Sequence, residues 1–203
     1  NFCVVDMSNF YLDILKDRLY VEKSDSFARR CAQTTIYKIL DALTLMLAPI
    51  LAFTADEIWG HMPHTADRNV ENIIFNDMPK TDIIANDEAI KNRYTELEII
   101  REDIKKALEI ARNGKIIGAS LEAKLEIFAG ADLDLLKSFE NELATLFIVS
   151  EVELTDSDGG EYKGERVGIT VTHASGEKCE RCWSYSHTVG TNADHPTICG
   201  RCA

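Results

Sequence analysis

The sequence predicts a mainly α-helical chain that passes into a small α+β domain and closes on a four-cysteine metal finger. Three features predict it. Apolar residues recur at helical spacing between Phe10 and Ile110, and they alternate with polar residues between Leu121 and Ala129. Two Cys-x-x-Cys pairs then occupy the last 25 residues. The helical part is expected to be an antiparallel helix bundle over residues 1–114, followed by the α+β domain over 115–174 and the finger over 175–203.

Taken in order, Ser8 is positioned to cap a first helix that carries Phe10, Tyr11, Ile14, Leu15 and Leu19. Ser24 or Ser26 can cap a second, in which Ile36, Ile39, Leu40, Leu43, Met46 and Leu47 form one broad apolar face ended by Pro49. A third holds Phe53, Glu57, Ile58 and Trp59 and stops in the Gly60–His64 stretch. Residues 65–85 read as loop. Asn86 is the expected cap of a fourth helix, with Asp87 and Glu88 in its first turn, where acids favour the helix dipole. It carries Tyr94, Leu97, Ile100, Ile104, Leu108 and Ile110 and ends at Asn113-Gly114, a natural left-handed cap. Beyond it, Leu121, Ala123, Leu125, Ile127 and Ala129 read as a half-buried strand. A short helix is expected over 132–146 and strands over 147–154 and 167–171, with an exposed turn over 156–164 between them. Tyr37, Met46, Phe53 and Trp59 read as core, and Cys3 and Cys31 as buried thiols.

The longest apolar run, residues 42–53, contains Thr44 and Pro49 and has the length of a buried helix rather than a membrane span. No membrane partner is expected. No signal peptide is visible at the N-terminus, and cysteine use outside the finger is sparse, which fits a reducing cytoplasm. The chain opens on Asn-Phe without a start Met, so it is expected to be a piece of a longer protein. A net charge of −12 argues at first against nucleic acid. Its distribution weakens that objection. Residues 1–66 hold 6 basic and 8 acidic side chains, 67–160 hold 11 and 21, and 161–203 hold 5 of each. The excess acid is in the middle third, and either end can still meet a polyanion.

The pairs Cys179-Glu-Arg-Cys182 and Cys199-Gly-Arg-Cys202 have two residues inside each and sixteen between them. A two-residue gap folds both thiolates of a pair around one point, and a loop of about 15–20 residues brings the second pair opposite the first. That arrangement suits one tetrahedral Zn²⁺ per chain, held at about 2.3 Å per sulfur with no open coordination position. Such a metal is structural. Two disulfides are the alternative. His187 and His195 lie in the intervening loop and could replace a cysteine ligand.

Several stretches then match one family. Phe2-Cys3 with Asn9-Phe-Tyr-Leu-Asp-Ile-Leu-Lys-Asp-Arg-Leu-Tyr20 resembles the opening of the anticodon-binding helical domain of isoleucyl-tRNA synthetases. Leu47-Ala-Pro-Ile-Leu-Ala-Phe-Thr-Ala-Asp-Glu-Ile-Trp59 is similar to the next block of that domain, which the valine and leucine enzymes share. Lys115-Ile-Ile-Gly-Ala-Ser-Leu-Glu-Ala123 resembles the segment after it, and the two cysteine pairs resemble the C-terminal zinc finger of the bacterial type. The resemblance implies a class I anticodon-binding bundle, and a parent enzyme that joins isoleucine to its tRNA at the expense of ATP, with a separate editing domain. The HIGH and KMSKS signatures occur nowhere in these 203 residues. No catalytic residue and no bound ATP are therefore expected here, and the implied partner is the anticodon stem-loop of an isoleucine-accepting tRNA. A monomer is expected, and DNA is not an expected partner.

Unstacked RNA bases are read by aromatic stacking, arginine planes and hydrogen bonds to base edges. Trp183, next to the second cysteine, is the candidate stacking platform; alternatively it covers the metal site or packs on the sheet. Arg181 and Arg201 occupy equivalent places in the two knuckles. Either they offset the charge of four thiolates around a dication, or they meet phosphates and bases. Lys16, Arg18, Arg29 and Arg30, with Lys38, are candidate contacts to the anticodon stem, although Lys16 and Arg18 can equally pair with Asp13 and Glu22. The finger spacing also resembles that of formamidopyrimidine-type DNA glycosylases, which leaves a DNA-repair reading, and a protein-interaction module is a third.

Overall fold

The computed structural model describes residues 1–81, 87–139 and 141–203. The chain opens on a π-helical segment, Cys3–Tyr11, followed by α1 (Leu12–Ile14) and α2 (Lys16–Tyr20). Next come α3 (Phe27–Leu47), α4 (Ala52–His61) and α5 (Asp87–Asn113). Strand β1 (Ala123–Phe128) leads through α6 (Leu133–Lys137) and α7 (Leu143–Phe147) to β2 (Glu151–Thr155). Strands β3 (Tyr162–Lys163) and β4 (Gly168–His173) complete one sheet, and β5 (Glu177–Lys178) with β6 (Tyr185–Ser186) forms a small hairpin. The described chain is mainly helical with a small sheet region. Packing divides it into two compact units, 22–85 and 1–21 with 86–203.

In the first unit, the Ser26 hydroxyl accepts from the Arg29 amide at the start of α3, as its capping chemistry predicts. The helix ends two residues before Pro49. Leu45 and Ala48 meet Ala55 and Trp59 of α4 and Ile73 in a small core. The Trp59 indole N–H donates to the Asn69 carbonyl at 3.0 Å, so the deepest aromatic is also satisfied. The 65–81 loop is stiffened by Asn69, Asn72 and Asn76, whose side chains bond nearby backbone around a 3₁₀ turn at Ile73–Phe75. Two helices cannot enclose the apolar surface they carry. Phe53 is 93% exposed and Met46 is also exposed, against the core roles expected for them. Tyr37 is half-buried, with its hydroxyl donating to the Pro63 carbonyl. Cys31 is exposed, as is Cys3 in the other unit, so neither is a buried thiol.

In the second unit the sheet order is β2-β1-β4-β3, with β1 parallel to β2 and antiparallel to β4. The alternation along β1 puts Ala123, Leu125 and Ile127 wholly inside, opposite Val171 and Ile169 of β4. The stripe Leu97, Ile100, Ile104 and Leu108 of α5 is buried in this same core. Ile110 falls off the stripe and is exposed. The Asn86 cap lies outside the described residues.

The first helical segment starts earlier than expected. The carbonyls of Asn1 and Phe2 accept from the amides of residues 4–7, so Ser8 lies inside the segment instead of capping it. The helix expected over 132–146 is two short ones, because the Ser138 hydroxyl bonds back to the Leu135 carbonyl at the end of α6. The strand expected from Phe147 begins at Glu151. Ile148 is left-handed (φ 57°) while the Val149 amide closes onto the Ala144 carbonyl at 2.9 Å, a helix-ending motif that reverses the chain. The end of α5 uses the same motif. There the left-handed residue is Lys115 (φ 61°), not Gly114, with the Ile116 amide on the Ala111 carbonyl. A side chain in that conformation costs about 1–2 kcal/mol relative to glycine. Lys115→Gly should therefore raise the thermal midpoint of this unit by about 3–6 °C, read by calorimetry.

A polar knot joins the helices to the sheet. Arg166, after β3, donates from Nε to Asp132 at 3.0 Å and from Nη2 to the other Asp132 oxygen. Its Nη1 reaches Glu96 of α5 at 2.6 Å, and its backbone amide donates to the buried Asp103 at 3.0 Å. Gly164 packs flat against the Asp103 carboxylate, where any Cβ would overlap it.

Candidate functional site

The β5–β6 hairpin carries the first cysteine pair, and the last turn of the chain carries the second. Each pair sits on a tight turn. The Trp183 amide donates to the Cys179 carbonyl at 2.9 Å, and the Ala203 amide to the Cys199 carbonyl at 3.1 Å. These equivalent turns aim all four sulfurs at one point, within 4.8 Å of one another. Cys182 and Cys199 Sγ are 3.8 Å apart. A tetrahedral ion with bonds of about 2.3 Å needs sulfur–sulfur edges of about 3.8 Å, so the donor set fits a metal ion. All six cysteines are free, against the two-disulfide alternative.

The electrostatics also favour a metal. Burial opposes ionisation of Cys179, but the backbone amides of Cys182, Cys199 and Arg181 point at its sulfur and together bring its pKa down to about 6. Burial pushes the Cys182 and Cys202 thiols up. Four thiols this close cannot all ionise without a cation among them. With all four positions supplied by the protein, no open position is left for a substrate or an activated water. The arrangement is structural. His187 and His195 are not in the donor cluster; His187 Nε2 lies 2.9 Å from the Ser175 hydroxyl, and His195 is exposed.

The two knuckle arginines face inward to the chain's own atoms. Arg201 forms a bidentate pair with Asp17 of α2, at 2.8 and 2.7 Å. Arg181 donates to the Val21 carbonyl at 2.9 Å and to the Cys202 carbonyl at 3.5 Å. Together they tie both knuckles to the end of α2, and Val21 packs against the cysteine cluster. The sequence holds no signal for this tie, because Asp17 and Arg201 are 184 residues apart.

Trp183 stands out differently. It is 63% exposed and adopts a left-handed backbone (φ 65°) imposed by the knuckle turn. The indole neither lies buried over the sulfurs nor packs into the sheet core. Among the remaining candidates, Lys16 pairs with Asp13 at 2.7 Å and Arg18 approaches Glu142 at 3.7 Å. Arg29 donates to the Glu22 carbonyl at 2.9 Å, and Arg30 and Lys38 are exposed. The structure thus brings Trp183, Arg181 and Arg201 together around the cysteines and places Arg29 and Arg30 in the other unit. No helix among the described residues is long and apolar enough to cross a membrane.

Residues 1–127 match the family model described as the anticodon-binding domain of tRNA ligase. Residues 176–203 match the model described as a zinc finger found in FPG and IleRS. The chain is 50% identical over 207 residues to an isoleucine–tRNA ligase of Syntrophotalea carbinolica, and 44% identical over 209 residues to one of Desulforamulus reducens. It is 42% identical over 208 residues to one of Bacillus cytotoxicus. Each alignment takes in all of this chain and 22% of the relative, so the chain spans about a fifth of the length of these relatives.

Proposed function

Because the chain belongs to the family of the anticodon-binding domain of tRNA ligases, we propose that it is the tRNA-holding C-terminal part of an isoleucine–tRNA ligase. The parent would join isoleucine to its tRNA using ATP, at sites outside these residues, in the cytoplasm and as a monomer. The relatives' names support the amino acid. The finger model is shared with FPG, but the match over 1–127 speaks for tRNA rather than damaged DNA. On this reading 1–114 is the helical anticodon-binding module, 115–174 the α+β connector and 175–203 the finger. The apolar surface left open on 22–85, Phe53 and Ile50 above all, supports an antiparallel bundle completed in the whole protein.

The ion is zinc in this reading, one per chain and structural, held by Cys179, Cys182, Cys199 and Cys202. Thiolates in a tetrahedral S₄ set select zinc or iron–sulfur chemistry, and the match to a zinc-finger model favours zinc. Its role is to hold Trp183 rigid. The carrying observation is that indole, large, exposed and mounted on the metal turn in a conformation that costs about 1–2 kcal/mol. Arg181, Arg201, Lys16, Arg18, Arg29 and Arg30 are the proposed cationic contacts; all but the exposed Arg30 would release an intramolecular partner or share it with phosphate.

Trp183→Gly separates stacking from structure. It removes the indole and relieves the backbone, so the finger should stay folded with its metal. Affinity for isoleucine tRNA should nevertheless fall by about 1–3 kcal/mol, the range of one base–aromatic stack. Filter binding at several salt concentrations, with valine tRNA as the competitor, reads this directly. Undiminished affinity, or equal binding of the two tRNAs, would count against anticodon readout by this face.

A further inference from the structure

Phe10, Tyr11, Ile14, Tyr94 and Leu146 wall a cavity of about 260 Å³ in the second unit. Arg18 and Glu142 stand in the same lining, 3.7 Å apart. A more open hollow of about 400 Å³ shares Tyr94 and Glu142 with it and adds Arg93, Lys137 and Ser138. The inner chamber therefore joins aromatic and aliphatic walls to a guanidinium, a carboxylate and the side chains of Tyr11, Tyr94 and Thr145, and the outer one holds two cations against one carboxylate among its described residues.

The walls are held in place. The Arg101 guanidinium lies 4.8 Å over the Phe10 ring and donates to the Leu146 carbonyl, which fixes the apolar side. Tyr94 meets Phe139 edge to face at 5.3 Å, and Arg93 caps the same Phe139 ring at 4.5 Å while donating to the Ser138 carbonyl and hydroxyl. Burial, and then the charge of Glu142, push the Tyr94 phenol up, so its hydroxyl remains a neutral donor. Phe10 and Tyr11 come from the π-helical segment Cys3–Tyr11, nine residues of a geometry found mostly as single turns and often at functional sites.

An apolar cavity without polar groups would suit a lipid or stay empty. This one pairs aromatic faces with a guanidinium and a carboxylate, the groups that recognise the edge of an unstacked base, and places further cations outside, where a phosphate would lie. We propose that the cleft between the N-terminal helices, α5 and α7 takes one unstacked nucleotide of the bound tRNA. Its base lies against Tyr94 and Phe10 with its edge on Arg18 and Glu142, and its phosphate on Arg93 and Lys137. This rests on the tRNA reading above but uses residues apart from the metal finger.

The test uses the full-length protein. Ultraviolet crosslinking of its tRNA complex, followed by mass spectrometry, should find a nucleotide adduct on the peptide carrying Tyr11 or Tyr94. Lys137→Gln, at an exposed position, should leave the thermal midpoint unchanged, whereas Arg93→Gln also loses its cap on Phe139 and should lower it slightly; each should reduce the salt slope of tRNA binding, by up to about 1. Glu142→Gln should weaken binding more than the same change at exposed Glu98. If tRNA binds normally, no adduct forms on either tyrosine and the slopes are unchanged, the cleft is not a nucleotide site and the tRNA reading survives. The cleft is equally ruled out if another segment of the full-length polypeptide fills it, since the adduct and the slope effects are then absent too. Failure of the wild-type protein to retain tRNA at all would sink the tRNA reading and the cleft together.

Discussion

Removing the metal with a strong chelator, or replacing Cys199 with Ser, should unfold residues 176–203 while α3, α4 and the four-stranded sheet stay ordered. The module has almost no core of its own. Its buried cluster is Cys179, Cys199 and Cys202, with Val21, Val189, Ile198 and Cys182 partly covered around it, and its only ladder is a hairpin of two residues per strand. Metal binding to a structural thiolate site is worth about 10–16 kcal/mol at neutral pH, more than such a module can replace by packing. Hydrogen exchange should show full loss of protection after Lys178. It should also show partial loss over residues 16–21, since Arg201–Asp17 and Arg181–Val21 tie the knuckles to α2. Acidification should release the ion, because each ligand must stay deprotonated to bind it. Elemental analysis should give one zinc per chain, and a content far below that would overturn the assignment.

The metal site was legible because its chemistry is local. Two residues between cysteines and sixteen between pairs fix the geometry whatever surrounds it, and the four sulfurs do converge. Strand β1 and helix α5 were legible for a related reason, since one buried face imposes one period on each. What surrounds the site was not. Arg181 and Arg201 read in sequence as cations that either offset the thiolate charge or meet tRNA, yet both close onto α2 and the residue after it through contacts more than 150 residues distant in the chain. The readings of Phe53, Met46 and Cys31 as buried failed for another reason. An apolar face predicts that something covers it, but not that the covering element lies within the same stretch of chain. Left-handed Lys115 and Ile148 were invisible because glycine preference marks where such a turn is cheap, while tertiary closure can impose it on any side chain.

Arg166→Ala should destabilise the second unit by about 2–3 kcal/mol, lowering its thermal midpoint by roughly 5–10 °C. Arg166 is the only residue among the described ones that touches Asp132, Glu96 and Asp103 at once. Its backbone amide stays on Asp103 in the variant, so the loss falls on the buried Asp132 and the half-exposed Glu96. Removing one partner of a fully buried pair costs about 3–5 kcal/mol. The lower figure follows because the Arg166 side chain keeps 30% of its surface in water, which screens the pair. Asp132→Asn retains a hydrogen-bond acceptor and should lose less than Asp132→Ala. In the double variant Arg166→Met with Asp132→Leu, no buried charge is stranded, and much of the loss should return. A cycle in which the two single losses simply add would show that the knot contributes through packing alone. Coupling of more than about 1 kcal/mol would show instead that the ion pair itself fastens the start of α6 to the sheet on which the metal finger is mounted.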